Sequence, residues 1–206
     1  MTIEVLIPYG GADLWRARAL NIVREMYSTE LPWSVRVEAL RPREYAMSGS
    51  LARCRNRAAR LSGADVFVFN DADSLCQPEN IHRAVELAAE APGLVFAWDT
   101  YYRLSQKTTA NVGRWEDAFE QPVAWGMYES LSAGCMAISR RCFQEVGGFD
   151  PSWATACEDY DFADRCNRLW PNRRVPGELI HLWHPRPTVE PENTPDGRRW
   201  ANRAAA

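Results

Sequence analysis

The chain is poor in several things a reader would look for first. Histidine occurs only three times in 206 residues. The six cysteines, at 54, 76, 135, 142, 157 and 166, form no C-x-x-C pair, so neither a zinc knuckle nor a thioredoxin-type centre is signalled. There is no basic excess. Lys and Arg number 24 against 27 Asp and Glu, a net charge of -3, which argues against a nucleic-acid partner. No apolar run approaches the roughly 20 residues a membrane span needs. The opening "MTIEVLIPYGG" lacks the basic region and long apolar stretch of a secretion signal. Together these predict a cytoplasmic protein without a transmembrane segment, its thiols reduced and mostly buried.

What is present is a core-forming composition, 46% hydrophobic and 25% charged, of a length that suits one domain. Nine tryptophans are many for this length. Several sit beside polar residues, as ring faces lining a sugar or nucleotide site do and as amphipathic core edges also do.

The patterning predicts strands over 3–9, 34–40, 64–70 and 94–99, alternating with helices over 13–27, 50–62 and 78–93. Asp13 reads as an N-cap, Ser50 as another, and Gly63 as a stop. Leu51, Cys54, Ala58 and Leu61 form the inner face expected of the second helix. This alternation predicts an α/β domain with a mostly parallel sheet and helices on both faces. Ligands then bind beyond the carboxyl ends of the strands. In the second half, a strand is predicted over 132–139, helices over 140–149 and 158–170 (Phe162, Cys166 and Leu169 inward), and a strand over 178–184. Residues 100–132 give no clear period. The segment from Pro185 reads as an extended tail.

The buried run "FVFN" leads into Asp71-Ala72-Asp73 at a strand end. Two carboxylates on one turn either supply oxygen ligands to a hard divalent cation or cap the next helix. Glu158, Asp159 and Asp161 open a helix, where acids suit the dipole and where one acid can also act as a general base. His181 and His184 close the last strand and read as metal ligands or as ordinary structural histidines. Arg53, Arg55, Arg57 and Arg60 share a helix with Asn56, either as a solvated face or as phosphate donors.

Taken in order, "CRNRAARLSGADVFVFNDAD", "SAGCMAISRRCFQEVGGFDPSWATACEDYDFADR" and "HLWHP" resemble the GT-A nucleotide-sugar glycosyltransferases, the family-2-like enzymes and the C-terminal region of the β-1,4-galactosyltransferases above all. The resemblance covers about residues 3–185. It implies a single GT-A domain over 1–185, with a nucleotide-binding half at 1–100, an acceptor and catalytic half at 101–185, and a tail at 186–206. It implies that Pro8 and Tyr9 hold the nucleotide base. Arg55, Asn56 and Arg57 contact the nucleotide and diphosphate, and Asp71 and Asp73 serve ribose and metal. Gly134 lets a sugar approach the backbone, Glu158 orients hydroxyls, and Asp159 is the base. His181 or His184 completes the metal site. Trp153, just ahead of the acid pair, is a candidate to stack on an acceptor ring.

The function implied is a Mn²⁺- or Mg²⁺-dependent inverting transfer from a nucleotide sugar, UDP-linked, to the hydroxyl of a glycan, lipid-linked, protein or small-molecule acceptor. A retaining transferase and a non-catalytic carbohydrate- or nucleotide-binding module are the alternatives. A nucleotidyltransferase is disfavoured, because "PYGGADLWRAR" lacks the longer glycine-rich loop those enzymes resemble. The chain departs from the galactosyltransferase-like "WGWGGED" loop, reading "WATACED" at 153–159.

Overall fold

The computed structural model describes residues 1–10, 13–40, 50–128, 133–153 and 157–185. The expected tail at 186–206 and the loop at 154–156 lie outside the described residues, as does the side chain of Ser50. The first half follows the predicted alternation: β1 (Ile3–Tyr9), α1 (Leu14–Glu30), β2 (Ser34–Ala39), α2 (Ser50–Leu61), β3 (Val66–Asn70). β1 runs parallel to β2 on one side and β3 on the other. All five residues of β3 are buried. A strand covered on both faces has no polar side to alternate with, which is why "VFVFN" is continuous rather than patterned. Asp13 caps α1 as expected, its carboxylate accepting the Arg16 N–H at 2.9 Å.

The chain then departs from simple alternation. A short strand, β4 (Ser74–Cys76), precedes α3 (Pro78–Glu90), and the strand predicted over 94–99 divides into β5 (Val95–Phe96) and β6 (Thr100–Arg103). Both Asp99 and Thr100 donate their N–H to the Gly177 carbonyl, which turns the chain out of the central sheet. The stretch without a clear period holds α4 (Gln106–Asn111), a 3-10 turn and β7 (Trp125–Tyr128). The remainder comprises β8 (Cys135–Ser139), α5 (Arg140–Val146), α6 (Glu158–Leu169), β9 (Arg173–Arg174) and β10 (Glu178–His181).

Two sheets result, ordered β2-β1-β3-β8-β5-β9 and β4-β10-β6-β7. In the central sheet β8 lies between β3 and β5 and is antiparallel to both; β1–β2, β1–β3 and β5–β9 are parallel. Two side chains expected to face inward do not: Leu61 is 55% and Leu169 54% exposed. Each is the last residue of its helix, where the helix has run past the element it packs on. A cluster of Phe67, Phe69, Phe143, Phe149 and Phe162 ties β3, α5 and α6 together, with Phe149 and Phe162 stacked at 4.2 Å. That cluster fixes the start of α6 beside the carboxyl end of β3.

Candidate active site

Beyond β3 the chain makes a tight turn through Asp71-Ala72-Asp73. Asn70, 1% exposed, organises it: its side-chain amide donates to the Asp71 and Ser74 carbonyls at 2.7 and 3.0 Å, and its oxygen accepts from the Tyr27 hydroxyl at 3.0 Å. The Asp71 N–H donates to the Gly134 carbonyl at 2.8 Å. Gly134 has φ +41°, and a Cβ there would stand 2.2 Å from Leu179 Cδ1, so only glycine fits. The approach that requires this glycine is made by Leu179 of β10.

β4 makes the second half of the turn. It pairs antiparallel with β10, setting Ser74 opposite His181, and the Leu182 N–H donates to the Asp73 carbonyl at 2.8 Å. This register brings both late histidines to one acid. His181 Nε2 lies 3.6 Å from Asp73 Oδ1, and His184 Nε2 lies 3.2 Å from Oδ2. The ligand atoms of the three residues fall within 4.8 Å of one another. His184 is fixed from behind: Nδ1 contacts the Pro185 carbonyl at 2.8 Å, and the neighbouring Trp183 N–H donates to Thr109 of α4 at 2.9 Å. A ring whose Nδ1–H is held by a carbonyl offers the Nε2 lone pair to a metal. One carboxylate and two imidazoles, each buried or nearly so, therefore fit a divalent transition ion. Burial alone would raise the Asp73 carboxyl, but His181, His184 and Arg16 outweigh it and hold the carboxyl well below the usual range.

Arg55 links this turn to the acid pair on α6. Its side chain is 3% exposed. Nη2 donates to Asp71 Oδ1 at 2.7 Å, Nη1 donates to Glu158 Oε1 at 2.6 Å, and the guanidinium lies 5.1 Å from the Phe149 ring centre. Burial opposes the charge on Arg55, but Asp71, Glu158 and Asp159 raise its pKa further still. Asp71 is raised by burial and Asp73, with Arg55 opposing.

Asp159 is held at both oxygens, by the Ala133 N–H at 2.9 Å on Oδ2 and by the Tyr160 N–H at 2.9 Å on Oδ1. Burial, and next the charge of Glu158, push this carboxyl up from 3.8 to about 7, against the pull of Arg55 and the Ala133 N–H. Ala133 and Gly134 thus grip Asp159 and Asp71 from consecutive residues. Cys157, which precedes the pair, has φ +68° and is the one described non-glycine residue with positive φ. In the resembled loop that position is a glycine.

A cleft of about 170 Å³ is lined by Pro8, Tyr9, Gly10, Arg16, Leu51, Arg55, Asp71–Asp73, His181 and His184. Most of the sequence-predicted donor-side residues meet there. Asn56 and Arg57 do not: Asn56 brackets Phe149 by two backbone hydrogen bonds, and Arg57 pairs with Glu38 and the Ala39 carbonyl. Trp153 is 1% exposed, so the ring suggested for stacking is core. Two residues were missed. Asn70 looked like the end of a strand. Arg16 sits in the first turn of α1, where a cation opposes the helix dipole, and that mismatch was its signal.

The smaller sheet carries a further surface. His181 pairs with Arg103, and Arg103 with Trp125; Leu179 pairs with Tyr101, and Tyr101 with Met127. Paired residues project to the same face. A row of side chains therefore runs from His181 to an edge where Trp125 is 44% and Met127 41% exposed. The Arg103 guanidinium lies over the Trp125 ring, 5.1 Å from its centre.

A sheet with β8 inserted antiparallel, an acidic turn at the end of β3 and a second sheet closing over it define the class, a GT-A fold. The chain belongs to the glycosyltransferase-like family 2, whose sequence model matches residues 34–190. The N-acetylglucosaminyl-diphospho-decaprenol L-rhamnosyltransferase of Mycobacterium tuberculosis, in two strains, is 33% identical over 86 residues, 41% of this chain. The match spans 24% of that relative's length. Among solved structures, a mutant of Drosophila β-1,4-galactosyltransferase 7 in complex with manganese, UDP-Gal and xylobiose superposes with a TM-score of 0.58 at 15% identity, over 92% of this chain and 75% of that one. Among the described residues no helix is long and apolar enough to cross a membrane.

Proposed function

We propose that the protein is a metal-dependent, inverting glycosyltransferase that moves a sugar from a UDP-linked donor to an acceptor hydroxyl. The observation that carries this reading is Arg55, which joins the acidic turn at Asp71 to the acid pair at Glu158 and Asp159. Donor-side and acceptor-side chemistry thereby share one charged network. In the reaction, Asp159 takes the proton of the acceptor hydroxyl as its oxygen bonds to the anomeric carbon. The bond from that carbon to the diphosphate oxygen breaks on the opposite face, and the diphosphate leaves with the electron pair. Held at both oxygens, Asp159 aims one defined lone pair at the acceptor and needs no rearrangement to receive a proton. Glu158, neutralised by Arg55, positions substrate hydroxyls. Pro8 and Tyr9 supply the wall for the nucleotide base. Asp73, His181 and His184 would hold the divalent ion, which when bound offsets charge on the departing diphosphate.

Two imidazoles beside one carboxylate favour Mn²⁺ over Mg²⁺, since Mg²⁺ prefers oxygen and water. Manganese and UDP-Gal in the galactosyltransferase complex accord with this choice. The exposed row ending at Trp125 is the acceptor platform in this reading. All six cysteines are buried thiols, as suits a reducing, cytoplasmic setting.

The test is a panel of UDP-sugars with Mn²⁺, read as released UDP and as the product anomer by NMR, in wild type and Asp159→Asn. Transfer with inversion, lost in Asp159→Asn while UDP still binds, is the expected result. Retention of configuration, or near wild-type transfer by Asp159→Asn, overturns it.

A further inference from the structure

Arg16 occupies a contradictory position. It lies in the first turn of α1, where the helix dipole disfavours a cation, yet its side chain is anchored there: Nη1 donates to the Gly10 carbonyl at 3.1 Å and Nε faces Asp13 at 3.6 Å. The remaining nitrogen, Nη2, reaches across the cleft to His184 Nε2 at 3.4 Å. That same Nε2 faces Asp73 Oδ2 at 3.2 Å. The Arg16 guanidinium thus stands beside the two atoms, His184 Nε2 and Asp73 Oδ2, that a divalent ion would use. Arg16 is the permanent cation that the fold sets against the Asp73 carboxylate and His184.

A divalent ion on His184 would bind at Nε2, the atom that Arg16 now faces. Nε2 cannot serve both. The Arg16 side chain is 29% exposed and tethered to the β1–α1 loop, so it can turn aside without unfolding anything. In its present position it already lines the cleft with Gly10 and Asp73.

We propose that Arg16 is a place-holding cation: it shields Asp73 and His184 in the metal-free protein, yields to the divalent ion, and then binds an oxygen of the donor's diphosphate. This rests on the metal and nucleotide-sugar reading above. It makes the two affinities respond in opposite directions. Losing Arg16 removes the ion's competitor and a nearby positive charge, so the metal binds more tightly. It also removes a charge-assisted donor to phosphate, so the nucleotide binds less tightly. A purely structural arginine would weaken both.

The experiment is calorimetric, on the full chain. Mn²⁺ alone is titrated into wild type, Arg16→Gln and Arg16→Lys; UDP is then titrated into each protein saturated with Mn²⁺. In Arg16→Gln the Mn²⁺ affinity is expected to rise severalfold and the UDP affinity to fall about tenfold, the worth of one charged hydrogen bond. Arg16→Lys, which keeps the charge, is expected to lie between the two on both measures. Mn²⁺ binding that is unchanged or weaker in Arg16→Gln, or UDP binding that is unchanged, overturns the role of Arg16 alone. Wild type that binds neither Mn²⁺ nor UDP overturns the donor reading, and this proposal with it.

Discussion

The carboxylate of Glu158 and the guanidinium of Arg55, 103 positions apart in the chain, meet at 2.6 Å in a site where Arg55 is 3% exposed. One buried cation there faces Asp71, Glu158 and Asp159. Removing one partner of a buried ion pair leaves the other uncompensated, at a cost of about 3–5 kcal/mol. Arg55→Met is therefore expected to lower stability by about that much, measured by urea unfolding. Arg55→Lys should recover little, because a point charge cannot reach both acids as the planar fork does. A loss below about 1 kcal/mol would show that the acids repack without the arginine.

The metal trio gives a second expectation. His181→Ala and His184→Ala should each lower Mn²⁺ affinity by about 10–100-fold in calorimetry, and Asp73→Ala should abolish the heat of UDP binding that depends on Mn²⁺. Equal affinity for Mg²⁺ and Mn²⁺ in wild type would mean that the imidazoles do not ligate.

Asp159 carries a pH signature in which stability and activity move apart. Its carboxyl is raised from 3.8 to about 7 in the fold. The unfolded chain loses that proton at about pH 4 and the folded chain at about pH 7. Between them the folded state holds more protons, so this group's contribution to stability is present at low pH and is lost as pH rises through the window. In the proposed reaction the same deprotonation creates the base, so the transfer rate is expected to climb through about pH 7 while stability declines. Unfolding free energies measured across the window should show that decline in wild type and a shallower one in Asp159→Asn. Matching slopes in the two proteins would remove the raised carboxyl from the account.

Much of this was legible in the chain, and the reasons are physical. β1 and β3 are written as apolar runs, β2 as an alternation, and the helices between them as apolar periods, which are local signals. The acids after β3 stood out because carboxylates at the end of a buried strand cost something unless used, whereas the acid pair at the start of α6 suits the helix dipole and was marked by the resemblance. β4 was not legible: three residues become a strand only because β10 pairs with them, and that pairing is what carries His181 and His184 to Asp73. The insertion of β8 between β3 and β5 is likewise a contact between distant segments that no local pattern records. Arg55 and Arg57 read either as a solvated face or as phosphate donors; partners on β2, in the turn after β3 and on α6 make them internal. Trp153 and Trp125 show the same difficulty from the other side. Trp153 follows Ser152 and Trp125 follows Ala124, and burial by the tertiary fold, rather than sequence company, separates them.

Cys157 offers a test of backbone strain. Its φ of +68° is a conformation that costs a side-chain-bearing residue about 1–2 kcal/mol. Cys157→Gly relieves that strain at some cost in unfolded-chain entropy, so a net gain of about 0.5–1 kcal/mol is expected in thermal or urea unfolding. A loss of stability would show that the thiol's packing outweighs the strain.

Trp125 is the last point at which the structure commits itself. It stands at the far end of the row that begins with His181, 44% exposed, with its ring 6.1 Å from that of Tyr101. Tyr101 in turn is 5.8 Å from His181, so two ring contacts separate the exposed indole from the metal trio. In the proposed reaction the acceptor is a sugar ring, which stacks on a flat apolar surface, and the exposed indole beside Arg103 offers one. Trp125→Ala is expected to raise the acceptor KM about tenfold, with little change in the affinity for UDP or in slow donor hydrolysis, since neither uses the acceptor side. Trp125→Phe, which keeps a ring, should recover most of the loss. If Trp125→Ala instead weakens UDP binding and leaves the acceptor KM unchanged, the row serves the donor, and the acceptor must enter from the side of α6.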